Sequence, residues 1–210
     1  MIENIQVFCH SSILIKKEKT IYIDPFRIKK NYNDADIIMI THDHYDHYSE
    51  EDIEKVKKES TIIVIPMGLE EKVSKIGFKQ ENIVVVNPNN KYIVEQIKIE
   101  TISSYNIGKK FHPKENNWVG YIIEIAGVRY YIPGDTDITE ENKKVKCDVA
   151  FVPVGGTYTM NPEEAAELVN KIRPKVAIPI HYGEIVGSPK DAIHFIERVN
   201  TEIKCEILIK

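Results

Sequence analysis

Residues 41–47 read Thr41-His42-Asp43-His44-Tyr45-Asp46-His47, and they hold three of the seven histidines of the chain. The segment directly follows an apolar run of strand length, residues 36–40. On an extended or turning backbone His42 and His44 point the same way, while Asp46 and His47 fall on a neighbouring face. Imidazole and carboxylate are ligands that zinc, iron and manganese accept. The spacing therefore fits two adjacent metal ions, one held by His42 and His44 and the other by Asp46 and His47. The alternative is a solvated polar loop whose histidines titrate freely.

Short apolar runs and helical segments extend outward from this motif in both directions. In the first half, β-branched runs predict strands at residues 5–9, 12–15, 21–24, 36–40, 61–65 and 83–86. In the second half, strands are predicted at residues 92–102, 119–125, 128–132, 149–152, 176–180 and 203–209. Helices are predicted at residues 50–59, 68–76 and 189–199, with another beginning at Asn161-Pro162. The chain is therefore predicted to be an α/β protein, and the irregular loop 103–117 is expected to be functional or mobile.

Composition limits the classes of protein that remain. The 210 residues carry 28 Lys+Arg against 32 Asp+Glu, a net charge of −4, and 42% are hydrophobic, as in an ordinary soluble protein. We expect one domain spanning residues 1–210. No apolar run approaches the roughly 18 residues of a membrane span, and we expect a cytoplasmic protein with no membrane partner. The odd count of 3 cysteines, with no CxxC pair, argues against disulfides and against a thiolate zinc site. The acidic balance argues against a nucleic-acid partner.

The segment His-Asp-His-Tyr-Asp-His resembles the HxHxDH motif of the metallo-β-lactamase fold hydrolases. Asp24 at the end of an early strand, Asp135 after a later strand and His181 near the C-terminus match further positions of that family. The resemblance covers almost the whole chain and implies a four-layer αββα sandwich. The turn at residues 10–12 and the segment 160–165 make the chain most similar to the small branch of L-ascorbate-6-phosphate lactonase-like proteins.

The resemblance also implies a set of metal ligands. Asp135 would bridge two metals, with His42 and His44 on the first and with Asp46, His47 and His181 on the second. The family's third histidine for the first metal lies between the motif and the bridging aspartate, where the aligned segment offers Asn106. The histidine that does lie in this interval is His112. Either its loop folds back and His112 supplies the ligand, or the first metal site is short of a ligand and weak.

The function that the resemblance implies is metal-dependent hydrolysis of a small ester, lactone, amide or phosphoester. Two divalent ions, zinc first and manganese, iron or nickel as alternatives, would share a water and lower its pKa, giving a nucleophile at neutral pH. Asp46 and Asp135 are the expected catalytic residues. Asp46 would handle the proton, with Tyr182 or His10 as alternative donors. A metal-binding sensor or interaction protein without turnover is the alternative, because Asn106 stands where a histidine is usual.

Other residues near the expected site carry two interpretations each. His10 either sits at the rim of the site or is a hydrogen-bonded histidine without a metal. Asp24 either orients a ligand imidazole by accepting its N–H or caps the Pro25 turn. The turn at residues 155–158 resembles an anion-cradling turn, because glycines expose backbone N–H groups. An anionic small-molecule substrate could be attracted by three lysines in the loop, Lys109, Lys110 and Lys114. The sequence leaves a homo-oligomer open.

Overall fold

The computed structural model describes residues 1–209, which contain two β-sheets and four α-helices. The first sheet comprises β1 (Ile5–Val7), β2 (Ile13–Lys16), β3 (Thr20–Ile23), β4 (Ile37–Met39), β5 (Ile62–Pro66) and β6 (Ile83–Val86). The second comprises β7 (Lys91–Val94), β8 (Ile97–Ser103), β9 (Val119–Ile125), β10 (Val128–Ile132), β11 (Val149–Pro153), β12 (Val176–Ile180) and β13 (Lys204–Cys205). The helices are α1 (Glu50–Val56), α2 (Glu70–Lys75), α3 (Pro162–Ile172) and α4 (Pro189–Ile196).

Both sheets begin antiparallel and end parallel. In the first, the spatial order follows the chain from β1 to β6, and β3 to β6 pair in parallel. In the second, the order runs from β7 to β13, and β10 to β13 pair in parallel. The two halves of the chain therefore share one plan, an antiparallel meander followed by parallel strands whose carboxyl ends meet at the same edge.

Along each buried strand, successive side chains alternate between the central core and an outer core. Ile21 and Ile23 of β3 lie in the central core between the sheets, whereas Tyr22 lies in an outer core with α1 and α2. In the second sheet Phe151 lies in the central core, and Ala150 lies in the other outer core with α3 and α4. Successive strand residues face opposite sides of a sheet, so each buried strand joins two cores. The four-layer αββα sandwich is confirmed.

Several element ends differ from the predictions. The first helix ends at Val56 rather than at residue 59, because Lys57 adopts an extended backbone, with ψ 151°. The last helix ends at Ile196 rather than at residue 199, because the amides of Arg198 and Val199 donate to carbonyls three residues back, as in a 3₁₀ turn. The predicted final strand, residues 203–209, is wrong in length, since β13 pairs with β12 over two residues only. The hairpin of β9 and β10 has the predicted bounds.

The parallel strand ends place the chemically interesting loops together. The loops after β4, β10 and β12 carry the histidine motif, Asp135 and His181 in that order. Across residues 1–209, no helix has both the length and the apolar composition that crossing a membrane requires.

Candidate metal centre

Loops from both halves of the chain bring seven predicted residues and one further histidine to one place. They are His10, His42, His44, Asp46, His47, His112, Asp135 and His181. All are buried except His44, which is partly exposed. Burial of so many titratable side chains in one cluster is costly unless they are paired or coordinate a metal, so the cluster demands a chemical explanation.

The first donor set consists of His42, His44, His112 and Asp135, and one ligand atom from each lies within 4.8 Å of the others. His42 Nε2 lies 3.0 Å from His44 Nδ1 and 3.9 Å from Asp135 Oδ2. The ring of His112 packs edge-on against that of His42, with centroids 4.5 Å apart. Trp118 contacts the set, with its ring centroid 4.3 Å from that of His112.

The second donor set consists of His10, Asp46, His47 and His181, again with ligand atoms within 4.8 Å of one another. Asp46 Oδ2 lies 3.0 Å from His10 Nε2, 3.6 Å from His47 Nε2 and 3.7 Å from His181 Nε2. One carboxylate oxygen thus faces three imidazoles.

Asp135 lies between the two donor sets. Its Oδ2 faces His42 of the first set, while its Oδ1 lies 3.2 Å from His47 Nε2 and 3.1 Å from His181 Nε2 of the second. A carboxylate with one oxygen toward each set is placed as a bridging ligand would be.

Several of these ligand atoms have no hydrogen-bond partner within the described part of the chain. They are His47 Nε2, both ring nitrogens of His112, His181 Nε2 and Asp135 Oδ1. Buried polar atoms are nearly always paired, and here the atoms approach one another without the geometry of a hydrogen bond. Two ligands of one tetrahedral zinc ion lie roughly 3.3 Å apart, given bonds of about 2.0–2.1 Å. The spacings observed bracket that value, so the donor atoms fit divalent cations.

The structure brings His112 into the cluster and leaves Asn106 outside it. His112 is 1% exposed, and its carbonyl accepts a hydrogen bond of 2.7 Å from the backbone N–H of Asn106. The side-chain amide of Asn106 instead donates to the carbonyl of Tyr158, at 2.9 Å. The loop therefore folds back, and Asn106 acts by holding the loop.

His10 belongs to the cluster more fully than the sequence suggested. It is completely buried, its ring lies 3.7 Å from that of His181, and its carbonyl accepts a hydrogen bond from His181 N–H. Its backbone is left-handed, with φ +51°, which turns the ring toward Asp46. A histidine three residues after β1, at the same edge as the other strand-end histidines, was the signal that could have placed it here.

Asp24 holds the histidine motif in place through contacts with Thr41 and His47. Its carboxylate is fully buried and accepts hydrogen bonds from Thr41 N–H at 2.8 Å and from the Thr41 hydroxyl at 2.7 Å. It also lies 2.7 Å from Nδ1 of His47. An N–H on that nitrogen leaves the lone pair of Nε2 directed at the cluster. The expected contact between Asp24 and an imidazole of the histidine motif is present.

The electrostatics of the cluster favour a cation. Burial lowers the pKa of His112 to about 3, and burial together with the neighbouring His47 holds the pKa of His42 well below its usual value. Neutral imidazoles keep a lone pair for a metal. Burial alone would raise the pKa of Asp135, but His181 and His47 hold it well below its usual value. Asp135 therefore places negative charge where the donor sets meet.

Two glycines allow the loops to approach this closely. A Cβ on Gly155 would overlap the carbonyl oxygen of His181. Gly134 has φ +65°, and a Cβ there would lie 2.9 Å from Cβ of Thr41. The N–H of Gly156 donates to the carbonyl of Met160. The turn at residues 155–158 therefore serves close packing and does not present that N–H to an anion.

Comparisons with known proteins agree with this geometry. A family model described as "Beta-lactamase superfamily domain" matches residues 4–181. A UPF0173 metal-dependent hydrolase of Lysinibacillus sphaericus is 30% identical over 211 residues, which cover 93% of this chain and 92% of that protein. One from Thermococcus kodakarensis is 28% identical and covers 95% and 93%.

Solved structures show the same likeness. A Parabacteroides distasonis protein described as a metal-dependent hydrolase superposes with a TM-score of 0.80 at 30% identity, over 98% of this chain and 93% of that one. Igni18, a metallo hydrolase from the archaeon Ignicoccus hospitalis, superposes with a TM-score of 0.78 over 98% and 94%. At 22% identity the second likeness concerns the fold alone.

Proposed function

The chain belongs to the β-lactamase superfamily, and from that premise we propose that it is a metal-dependent hydrolase with two metal ions, acting on a small ester, lactone, amide or phosphoester. The observation that carries the proposal is the pair of buried donor sets with Asp135 between them. The relatives described as metal-dependent hydrolases support it.

The chemistry of the donor atoms indicates which metals fit. The two sets supply imidazole nitrogens and carboxylate oxygens, a combination that suits zinc first and also manganese, iron or nickel. His42, His44 and His112 would hold one ion, and Asp46, His47 and His181 the other. When bound, two such ions supply an activated water and polarise the carbonyl or phosphoryl group.

The chain's own residues orient the reactants and move the proton. Hydrolysis adds one water across the scissile bond, its oxygen to the electrophilic centre and a proton to the leaving oxygen or nitrogen. Burial would raise the pKa of Asp46, but the neighbouring His10 and His181 outweigh burial and lower this pKa, so the carboxylate stays ionised. It can accept the proton of the attacking water and pass it to the leaving oxygen or nitrogen, and His10, 3.0 Å from this carboxylate, is the first candidate donor. Tyr182, the other candidate donor expected from the sequence, packs in the outer core with α3 and α4, so His10 is the better-placed candidate.

The alternative of a metal-binding protein without turnover loses its main support. That alternative rested on Asn106 standing in place of a third histidine, and the grouping of His112 with His42 and His44 supports His112 as the third histidine of the first metal site. A cytoplasmic location, a single domain and the absence of nucleic-acid or membrane partners remain predictions from composition.

The test is hydrolysis by metal-loaded protein across aryl esters, lactones, amides and phosphodiesters. We expect turnover of at least one class of substrate. The activity should disappear with a chelator and return when zinc or manganese is added. Asp135→Asn should lower the activity roughly 100-fold or more, since the carboxylate that would contact both ions is lost. Lys98→Ala, a substitution at an exposed ion pair with Glu124 on β8, serves as the matched control. Stoichiometric metal with no turnover in any class would favour the binding-protein alternative.

A further inference from the structure

A cleft opens directly above the metal centre, and its walls differ in character from its floor. The cleft has a volume of about 300 Å³. Its floor is formed by His44, Asp46 and Asp135 of the donor sets, and its walls by Tyr45, Phe111, Tyr158 and Ile185. Any molecule that reaches the centre by this route must pass an aromatic and aliphatic surface.

The aromatic walls are unusually exposed. Tyr45 is 66% and Phe111 is 48% exposed. The Phe111 ring meets the Tyr158 ring edge-on, with centroids 4.7 Å apart and planes at 89°. The Tyr45 ring meets Phe26 at 6.2 Å in the same manner. Exposed aromatic rings that converge on one cavity mark a binding surface, and their faces and edges suit another aromatic ring.

Positive charge is missing from the walls. Among residues 1–209, the side chains that line the cleft include no lysine or arginine. The loop lysines expected to attract an anion are otherwise engaged. Lys109 contacts Asp137 at 2.5 Å and the carbonyl of Thr159 at 2.7 Å, and Lys114 pairs with Glu141 at 2.8 Å. Lys110 is exposed and lies outside the cleft lining.

We propose that the cleft selects small substrates whose non-reacting part is an uncharged aryl group, held between Tyr45, Phe111 and Tyr158, with the scissile bond at the floor. This inference rests on the proposed hydrolase function and names the substrate class of the same site. An anionic group in that position would leave water and gain no cation in return. The volume lies at the low end for ligand cavities, which are about 300–1,000 Å³, so the substrate is a small molecule and not a polymer.

The first experiment compares two esters that share a scissile bond and differ in one group. 4-Methylphenyl acetate carries a methyl where 4-acetoxybenzoate carries a carboxylate. We expect kcat/KM of the metal-loaded protein to be at least tenfold higher for the methyl compound. In Phe111→Ala this preference should shrink at least threefold, with metal content unchanged. Ile107→Ala is the matched control, because Ile107 is 60% exposed on the same loop and does not line the cleft.

The second experiment separates the cleft from catalysis. 4-Methylphenylacetone has a methylene in place of the ester oxygen and cannot be hydrolysed, and its binding can be followed by the fluorescence of Trp118, the one tryptophan in the chain. We expect binding that weakens about tenfold in Phe111→Ala and is unchanged in Ile107→Ala. Ketone binding of this kind without turnover of any ester, lactone, amide or phosphodiester would support the cleft and refute the hydrolase. Ester turnover with an equal or greater kcat/KM for 4-acetoxybenzoate would support the hydrolase and overturn the aryl preference.

Discussion

Replacing Asp24 by asparagine should change which nitrogen of His47 carries the proton. In the wild type, the Asp24 carboxylate can only accept hydrogen bonds, so the neighbouring Nδ1 of His47, at 2.7 Å, carries the proton. The Nε2 lone pair then faces the metal centre. In Asp24→Asn the amide N–H₂ group can donate to Nδ1 instead. The proton then moves to Nε2, the atom that lies 3.2 Å from Asp135 Oδ1, and His47 is lost as a ligand.

The contacts of Asp24 indicate how much metal affinity and stability the Asp24→Asn variant should lose. The asparagine amide of the variant would keep one oxygen for Thr41 N–H, and the Thr41 hydroxyl can rotate to a new partner. The interaction that is lost is therefore the one with His47. Removing the group that orients a ligand histidine lowers metal affinity about 10- to 100-fold, or about 1.4–2.8 kcal/mol. Loss of a hydrogen bond to a charged acceptor should lower the free energy of unfolding of the metal-free protein by about 1.5–3 kcal/mol.

Chelator competition measures the affinity, urea unfolding measures the stability, and long-range ¹H–¹⁵N NMR of histidine identifies the tautomer. Asp36→Asn is the matched control, since Asp36 also accepts a backbone N–H, from Thr20 at 2.7 Å, and lies apart from the donor sets. An Asp24→Asn protein with unchanged tautomer and unchanged affinity would refute this role for Asp24.

Three further outcomes follow from the same contacts. Burial raises the pKa of Cys9 to about 11 and that of Cys147 to about 12, so at pH 8 only about one Cys9 in a thousand is thiolate. A thiol reagent should react slowly with Cys9 and Cys147 in the folded protein and at once in urea. The rate in the folded protein should rise with pH. Fast reaction at pH 7 would contradict the raised pKa values. Gly155→Ala should destabilise the protein by about 1–3 kcal/mol and lower metal content by displacing His181. Gly156→Ala, where no atom lies within 4 Å, should lower stability without losing metal, and equal metal loss in both would contradict the packing argument. Lys109→Ala removes the contacts that tie the loop to Asp137 and Thr159. Hydrogen exchange measured by mass spectrometry should therefore be faster for the backbone amides of residues 107–112. Unchanged exchange would contradict a role for Lys109 in holding the loop.

Local spacing made much of the fold and of the centre predictable. Alternating residues such as Ile21, Tyr22 and Ile23 indicate a strand that faces two cores, and the structure has that arrangement. His42, His44, Asp46 and His47 lie in one short segment, so their proximity follows from the chain itself. Element ends were less predictable, because the length of β13 is set by its pairing with β12, which covers two residues only.

The placement of the remaining donor-set residues depends on contacts distant in sequence. His112 reaches the first donor set because its carbonyl is bonded by Asn106 and because Lys109 ties the loop to Asp137. No spacing within the loop reveals those contacts. His10 joins the second set through a left-handed backbone and a partner at Asp46, 36 residues away.

Metal content by elemental analysis of the purified protein tests the central claim most directly. We predict two metal ions per chain in the wild type, a fall toward one in His112→Ala, and two again in Asn106→Ala, whose backbone N–H still holds His112. One ion or none in the wild type, unchanged by His112→Ala, would contradict the dinuclear centre.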